Sequence, residues 1–510
     1  MLIHSTTVQS TPSAVSLTGR LTPAQLEHAA KPLSIIIEPD VVERVARCRR
    51  FVLDRLTDGT AIYGATTGFG PLVAFAGRGD SAGQCDNILS HLTAGQGDDL
   101  PPSVVRAAIL ARLWSLSRGH SGISLETLLA LRTVLASDFA PAVPRIGSLG
   151  ASGDLIPLAH IAQVLRGRGA AYLGDERLPA DQALQAAGLA PLELDGRDGL
   201  ALVNGTSVTS AVAGLAVASA RRSHTAAMLC TALMIDILGS DPVFLSADLL
   251  RAFGHSQAEV VAAQMRALLD GCVPSGRRPL QEPYSIRCTP QLLGAVGNSL
   301  HHAEDVIDAD LNGVSDNPLF FPELDTIVHG GNFFGQPVAF AADQLVTAVV
   351  QMGNLAERQL DLLIDPHRNG GLAPMLATVP GEQHGVQGVQ IAATAALAGM
   401  RRAAMPASVQ SLPTNGHNQD VVPFGTQAAL NALDLAKSVR WLHGSLAVAL
   451  RQALHVGGRT PTAAHTRALA ERLMDTVPPV DPDRPLDADV RLAADQLDLA
   501  ADELSPALHP

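Results

Sequence analysis

The chain has 510 residues, of which 47% are hydrophobic and only 3% aromatic, so it can bury a large core made mainly of small and branched side chains. A formal net charge of -13, without any block of Lys or Arg, argues against a phosphate-binding surface, and we expect no nucleic-acid partner. The five cysteines form no CxxC pair and the seventeen histidines form no HExxH motif, so neither a disulfide framework nor a metal site is predicted.

The predicted elements are mostly helices. The first thirty residues lack the basic, apolar and small-residue regions of a secretory signal, so none is expected. A first helix is predicted with Asp40 as its N-cap, because Val41, Val45, Cys48 and Val52 follow at helical spacing. The same periodicity recurs in later segments, which are 103–118, 124–138, 246–270, 289–312, 335–364, 389–404 and 425–453. Strand-like alternation is short and rare, so the fold class is mainly α.

Glycine- and proline-rich loops separate these helices at 63–71, 141–154 and 379–388, and such loops are where binding and catalytic residues concentrate. The uncharged segment 201–220 is interrupted by polar side chains, which favours a buried helix over a membrane span. We therefore expect a cytoplasmic protein with no membrane partner. A loop-rich N-terminal domain over 1–207 and a long helical bundle over 208–510 are predicted.

The loop GSLGASGDL at 147–155 places two glycines around a small tripeptide. Taken alone, it predicts a tight turn that leads into a helix. It also resembles the cofactor-forming loop of the histidine, phenylalanine and tyrosine ammonia-lyases, a family that includes aminomutases. The resemblance implies that Ala151, Ser152 and Gly153 cyclise to 4-methylideneimidazol-5-one without any metal. In that reaction the Gly153 amide nitrogen attacks the Ala151 carbonyl, which a residue without Cβ tolerates best, and Ser152 loses its hydroxyl.

The resemblance extends over most of the chain in the order of the family. Its further blocks are YGATTGFG at 63–70, ALVNGTS at 201–207, QEPYSIRCTPQ at 281–291, SDNPLFF at 315–321, HGGNFFGQP at 329–337 and NGHNQDVVPFG at 415–425. Several such blocks in sequence are far more specific than any one of them. They imply a helical fold similar to that of histidine ammonia-lyase and fumarase, and a homotetramer whose active sites are shared between subunits.

Roles follow from the resemblance position by position. Tyr63 matches the loop tyrosine that removes the substrate β-proton, and a glycine-rich loop there suits a lid. Arg287 matches the residue that binds the substrate carboxylate, and Tyr284 matches a tyrosine of the catalytic surroundings. Further substrate contacts are implied for Asn204, Gln281, Phe333 and Asn418. For each of these, a buried structural hydrogen bond or a core ring is the alternative.

Substrate choice is inferred from a pair of neighbouring residues. Registering the chain on Ala94-Gly95 places His91 and Leu92 at the selective positions, as in several tyrosine lyases, whereas the register Ser90-His91 would resemble histidine lyases. A histidine there can bind a phenol, which a phenylalanine would leave without a partner. Gln419 points the same way, because histidine lyases carry Glu there and a neutral amide cannot balance a cationic imidazole.

The predicted function is elimination of ammonia from an aromatic L-amino acid, namely L-tyrosine and also L-phenylalanine, to give the trans-arylacrylate. Thr66 supports this choice, whereas the segment 381–390 departs from the pattern of bacterial relatives. Three alternatives stay open. They are a histidine ammonia-lyase that forms urocanate, a tyrosine 2,3-aminomutase, and a non-catalytic helical-bundle homologue.

Overall fold

The computed structural model describes residues 14–508 and is mainly α-helical, as predicted. The first thirteen residues, which hold part of the stretch scanned for a secretory signal, lie outside the described residues. The helices are α1 (Pro23–Leu26), α2 (Pro39–Thr57), α3 (Ser81–Leu92), α4 (Pro102–Leu116), α5 (Leu125–Leu135), α6 (Leu155–Leu165), α7 (Ala180–Ala186), α8 (Gly196–Val203), α9 (Ser207–Leu238), α10 (Ala247–Phe253), α11 (Ser256–Leu268), α12 (Tyr284–Arg287), α13 (Thr289–Asn312), α14 (Gln336–Ile364), α15 (Gln387–Ala403), α16 (Gly425–His455), α17 (Ala464–Thr476) and α18 (Asp487–Leu508).

The strands are short and form small sheets. They are β1 (Ala14–Ser16), β2 (Ser34–Ile36), β3 (Gln96–Asp99), β4 (Phe139–Pro141), β5 (Pro144–Ile146), β6 (Ala170–Leu173), β7 (Glu176–Pro179), β8 (Leu319–Phe321) and β9 (Thr326–Val328). Strands β1 and β2 pair in parallel, whereas β3–β5, β4–β6–β7 and β8–β9 are antiparallel. In the β3–β5 pair, Gln96 lies opposite Ile146, which fixes the point at which the loop 147–154 begins.

The chain divides into two compact units. The first contains the described chain up to Leu215 together with the returning segments Glu304–Ala342 and Pro406–Leu430, and the second contains Ala216–Ala303, Asp343–Met405 and the chain from Asn431 onward. The predicted boundary at 207 lies near the end of the first segment. The sequence pattern did not predict the two returning segments, because helical periodicity does not show which helices pack together.

Two helix predictions differ from the structure in detail. Helix α2 buries the predicted stripe, but its N-cap is Glu38 rather than Asp40, since Pro39 takes the first helical turn, where a missing N–H costs nothing. The segment 246–270 forms two helices, α10 and α11, because Gly254 ends the first in a left-handed conformation with φ 79°. The remaining predicted helices start and end within a few residues of the observed bounds.

The apolar segment around α8 and α9 is a core element. The stretch Gly196–Leu238 is long and apolar enough to cross a membrane, but 94% of its apolar window is buried inside the protein. That burial is typical of a core helix, as the sequence predicted for 201–220. The cytoplasmic location stays a prediction.

Candidate active site

The loop 147–154 connects β5 to α6 and is held at both ends by backbone contacts. At one end the Gly335 N–H donates to the Gly150 carbonyl at 3.0 Å, and at the other the Asp154 N–H donates to the Gly205 carbonyl at 2.7 Å. Gly150 and Gly153 have φ values of +67° and +71°, which favour glycine. The tripeptide 151–153 is therefore restrained on both sides.

Gly153 also has no room for a side chain. A Cβ at this position would lie 2.5 Å from the Gly205 nitrogen, closer than real Cβ atoms approach a neighbour. The backbone of Gly153 is thus pressed directly against Gly205. The residues present fit the cyclised group, because bond formation between neighbouring peptide units requires such a compressed backbone without Cβ.

The carboxylate of Asp154 fixes the end of the loop by accepting hydrogen bonds from uncharged donors. This buried carboxylate accepts hydrogen bonds from the Ser148 hydroxyl at 2.8 Å, the Thr426 hydroxyl at 2.9 Å, and the Thr209 amide and hydroxyl at 2.8 and 2.7 Å. The sequence-based predictions did not include Asp154 or its partners among the site residues. Asp154 could have been found from its place directly after the tripeptide, whereas Thr209 and Thr426 could not, since nothing local links them to the loop.

Ser152 is held by two amide side chains. Its hydroxyl accepts from Gln419 Nε2 at 2.7 Å, and its carbonyl accepts from Asn204 Nδ2 at 3.2 Å. The Asn204 side-chain oxygen is buried and has no hydrogen-bond partner among the described residues. An unpaired buried acceptor is costly, so this oxygen is suited to accept an N–H group from a bound molecule.

A cavity of about 300 Å³ opens over this loop, and all of its lining residues belong to the first unit. The predicted site residues that line it are Tyr63, His91, Leu92, Ala151, Ser152, Gly153, Asn204, Asn418 and Gln419. Among the described residues that line it, none is Asp, Glu, Lys or Arg. The cavity therefore suits a ligand whose buried part is uncharged.

Tyr63 lies on the loop that follows α2 and reaches the cavity. Its phenolic oxygen accepts a hydrogen bond from the Gly70 N–H at 2.8 Å, and its ring meets Phe69 edge-on with centroids 6.3 Å apart. A donated backbone N–H stabilises negative charge on that oxygen. Gln84 of α3 ties the same loop down, donating to the Gly64 and Thr67 carbonyls at 3.0 Å each.

His91 stands in the last turn of α3 with one ring nitrogen engaged. Its Nδ1 lies 2.7 Å from the Asn87 carbonyl, and its ring centroid is 6.0 Å from that of Phe69. Because a carbonyl only accepts, Nδ1 carries the proton in the neutral ring, which leaves Nε2 as an acceptor. His91 can thus receive a hydrogen bond from a hydroxyl inside the cavity.

The remaining predicted residues do not line this cavity. Gln281 and Arg287 line a different cavity, of about 590 Å³, within the second unit. The Arg287 guanidinium lies 4.6 Å from the centre of the Tyr284 ring, and its Nε donates to the Glu282 carbonyl at 2.8 Å. Tyr284 is 71% exposed. Phe333 belongs to the first unit but is not among the residues that line the first cavity.

Comparisons with known proteins identify the family of the chain. A family model described as aromatic amino acid lyase matches residues 21–475. Histidine ammonia-lyase from Symbiobacterium thermophilum is 37% identical over 488 residues, covering 94% of this chain and 96% of the relative. The histidine ammonia-lyase from Burkholderia cenocepacia is also 37% identical, over 90% of this chain and 91% of the relative.

Solved structures share the fold over nearly the whole chain. Tyrosine aminomutase from Streptomyces globisporus superposes with a TM-score of 0.90 at 32% identity, covering 97% of this chain and 99% of that protein. Histidine ammonia-lyase from Trypanosoma cruzi gives a TM-score of 0.90 at 28% identity, covering 98% and 96%. The predicted fold and the predicted carbon–nitrogen lyase activity are thereby confirmed. The chain belongs to the aromatic amino acid lyase family.

Proposed function

We propose that this enzyme eliminates ammonia from L-tyrosine, and from L-phenylalanine as a second substrate, by means of a 4-methylideneimidazol-5-one group made from Ala151, Ser152 and Gly153. When formed, this group supplies a carbon electrophile, which ordinary side chains lack. The observation that carries the proposal is the close contact of the Gly153 backbone with Gly205, which leaves no room for a Cβ, at a cavity that Gly153, Tyr63 and His91 line.

Tyr63 is the proposed base for the substrate β-proton. Tyr63 lines the cavity, and its phenolic oxygen accepts the Gly70 N–H, which places a backbone donor beside the oxygen that would take the proton. Asn204 and Gln419, which hold Ser152 in the structure, would bracket the amino group of the substrate beside the loop.

The aromatic preference is supported by the chemistry of the cavity wall. His91 Nε2 is an acceptor that fits a phenolic hydroxyl, and Leu92 beside it gives an apolar contact for the ring. A cationic imidazole would find no carboxylate among the described lining residues. This distinction favours tyrosine over histidine.

A homotetramer with shared sites completes the proposal. Arg287 offers the guanidinium that a substrate carboxylate needs. Arg287, however, lines a cavity within the second unit, whereas Ser152 lines the cavity of the first unit. In the proposed assembly, other subunits supply Gln281, Tyr284, Arg287 and Phe333 to the cavity over the loop. The exposure of Tyr284, at 71%, is consistent with a surface that a neighbouring subunit covers.

Histidine ammonia-lyase activity is the second candidate, because the most similar curated relatives named above carry that name at 37% identity. Aminomutase activity is the third, because the structural neighbour from Streptomyces globisporus is a tyrosine aminomutase. Incubation with L-tyrosine, L-phenylalanine and L-histidine separately, followed by chromatography of unsaturated acids and β-amino acids, distinguishes the three. Urocanate as the main product, or a β-amino acid, would overturn the proposal.

A further inference from the structure

Arg112 is a buried charged residue to which the proposed chemistry assigns no role. It lies on α4 and is 2% exposed. Its guanidinium donates to three backbone carbonyls, namely Ala201 at 2.9 Å, Ser315 at 2.8 Å and Asn204 at 3.2 Å. A planar fork of this kind fixes several carbonyls in one geometry, which a flexible ammonium cannot do. Arg112 therefore holds the end of α8 in place.

The charge of Arg112 is balanced inside the protein. Asp316 lies 3.9 Å from its guanidinium and also pairs with Arg197. Burial lowers the pKa of Arg112 to about 10, an effect that Asp316 opposes, so the group stays protonated at neutral pH. Such a buried ion pair contributes little net stability compared with apolar packing.

Arg112 lies next to Gly205, the residue that contacts Gly153 of the loop 147–154. A Cβ on Gly205 would collide with Arg112 Nη1 and would lie 2.6 Å from the Ser315 carbonyl oxygen. On its other side, Gly205 is the residue against which Gly153 is compressed, and its carbonyl accepts the Asp154 N–H at 2.7 Å. The contacts form a continuous stack from the guanidinium through Gly205 to Gly153.

The opposite end of the loop is fixed as well. Gly150 accepts a hydrogen bond from Gly335 at 3.0 Å, and a Cβ on Gly150 would lie 3.1 Å from the Gly425 nitrogen. Gly150 and Gly205 therefore confine the tripeptide 151–153 at two points.

From this stack we infer that Arg112 is a positioning residue for self-cyclisation, holding Gly205 as the fixed support against which Gly153 closes on Ala151. The inference rests on the proposed self-made electrophile and deepens it. Arg112 touches neither the reacting atoms nor the cavity, so its effect is transmitted through Gly205.

The reaction that Arg112 assists is balanced by the loop's own atoms. The Gly153 nitrogen bonds to the Ala151 carbonyl carbon, and its proton passes to the carbonyl oxygen. That oxygen leaves as water with the proton of the Ser152 amide, which forms a carbon–nitrogen double bond. The Ser152 hydroxyl and its Cα proton leave as a second water. The first bond requires that the Gly153 nitrogen be oriented towards the Ala151 carbonyl carbon, and this orientation is what the position of Gly205 sets in the proposal.

The test compares two buried arginines of the same helix. Arg106 is also 2% exposed and donates to the Ala29 and Phe139 carbonyls at 2.6 and 2.8 Å, but it contacts no residue of the loop. Arg106 donates to five backbone carbonyls in all and Arg112 to three, so each lysine variant removes a planar fork at a buried site while keeping the charge. Each protein is synthesised in a pulse, and the intact mass is followed over time beside the thermal unfolding midpoint.

We expect Arg106→Lys to lose the mass of two waters as fast as the wild type, and Arg112→Lys to lose it roughly tenfold more slowly or not at all, with similar decreases in the unfolding midpoint. Equal rates in the two folded variants would overturn the role of Arg112. A wild type that keeps its full mass would instead overturn the proposed function itself.

A milder variant covers the case in which Arg112→Lys gives no folded protein. The Ser315 hydroxyl accepts the Thr206 N–H at 3.2 Å, next to Gly205, and Ser315→Ala removes this bond without placing a charge. Slower loss of the two waters in folded Ser315→Ala supports the positioning role. A wild-type rate in Ser315→Ala and also in Arg112→Lys produced in folded form at a lower temperature would overturn it.

Discussion

The loop 147–154 and the loop 63–70, called here the Tyr63 loop, line the same cavity but differ in how deeply they are buried. The loop 147–154 is buried at its anchor, with Asp154 fully enclosed and bonded to Ser148, Thr209 and Thr426. The Tyr63 loop is half-exposed, and besides the two bonds from Gln84 it is held by bonds such as that from the Gly68 N–H to the Phe75 carbonyl. A buried, over-determined backbone suits a covalent rearrangement within the chain, whereas a more exposed loop suits entry of a substrate and closure over it.

The largest effect is expected from Ser152→Ala, which removes the atom that the restrained loop must expel. The mature wild type should lack the mass of two waters, whereas the variant has no hydroxyl to expel as the second water, so the loss of two waters and nearly all turnover should vanish. Intact-mass spectrometry and product chromatography measure both. Ser137→Ala, whose hydroxyl bonds the Val134 carbonyl away from the loop, serves as the control. An active wild type of unmodified mass would refute the self-made electrophile.

Tyr63→Phe tests the other loop without disturbing the first. The ring contact with Phe69 is retained, so the mass deficit should stay, while turnover falls by about 10²–10⁴-fold because the base is gone. Tyr172→Phe is a matched control, since its hydroxyl bonds Asp99 and does not line the cavity. Near-normal turnover in Tyr63→Phe would transfer the proton-removal role to Tyr284.

His91→Phe tests the selectivity for tyrosine over phenylalanine at the wall of the cavity. The variant leaves a tyrosine hydroxyl without its acceptor and gives phenylalanine more apolar contact. We expect the ratio of kcat/KM for tyrosine over phenylalanine to fall by about an order of magnitude or more, from roughly 1–3 kcal/mol per unsatisfied buried group. Both substrates are measured on the same preparation, so the active fraction cancels. An unchanged ratio would remove His91 from the selectivity argument.

A smaller effect, on the free energy of unfolding alone, is expected at the buried side chain of His443, whose surroundings contrast with those of the hydrogen-bonded Asp154. Neither ring nitrogen of His443 has a hydrogen-bond partner among the described residues, and burial, with a smaller effect of His224, lowers the pKa of His443 to about 4. The unfolded chain binds this proton near pH 6.5, so stability falls as the pH drops from about 6.5 to 4, by up to about 3 kcal/mol. Below pH 4 this contribution no longer changes.

His443→Leu should remove that part of the acid sensitivity. The measurement is the difference in free energy of unfolding between pH 7 and pH 4.5, which should be smaller in the variant than in the wild type. An equal difference in the two proteins would mean that His443 does not set the acid dependence.

The sequence predicted those parts of the site that are local or carried by a short motif. Ala151, Ser152 and Gly153 are adjacent, and their glycine spacing is legible without a fold. Thr209 and Thr426 were missed because they meet Asp154 only after the chain has returned to the first unit. The helices were predicted from periodicity, whereas the break at Gly254 depends on one backbone conformation.

Arg287 shows the opposite limit. Its motif predicts a carboxylate-binding role, but the structure places it on the wall of another cavity from Ser152. In the proposed assembly another copy of the chain completes the task of Arg287, and the periodicity of one copy cannot predict such an arrangement. The motif assigns the role, and only the assembly can supply the geometry.

The contacts around Gly150 also set an order in time. The residues that confine the loop include Gly335, Gly425 and Thr426, all of which leave the ribosome long after Ser152 has been synthesised. Under the proposed chemistry, a nascent chain that ends before these residues would still carry the tripeptide as an ordinary, unreactive peptide. The reactive carbon would appear only once translation has passed Thr426 and the returning segments have folded back, so unfinished chains would not carry an electrophile able to react with cellular amines and thiols.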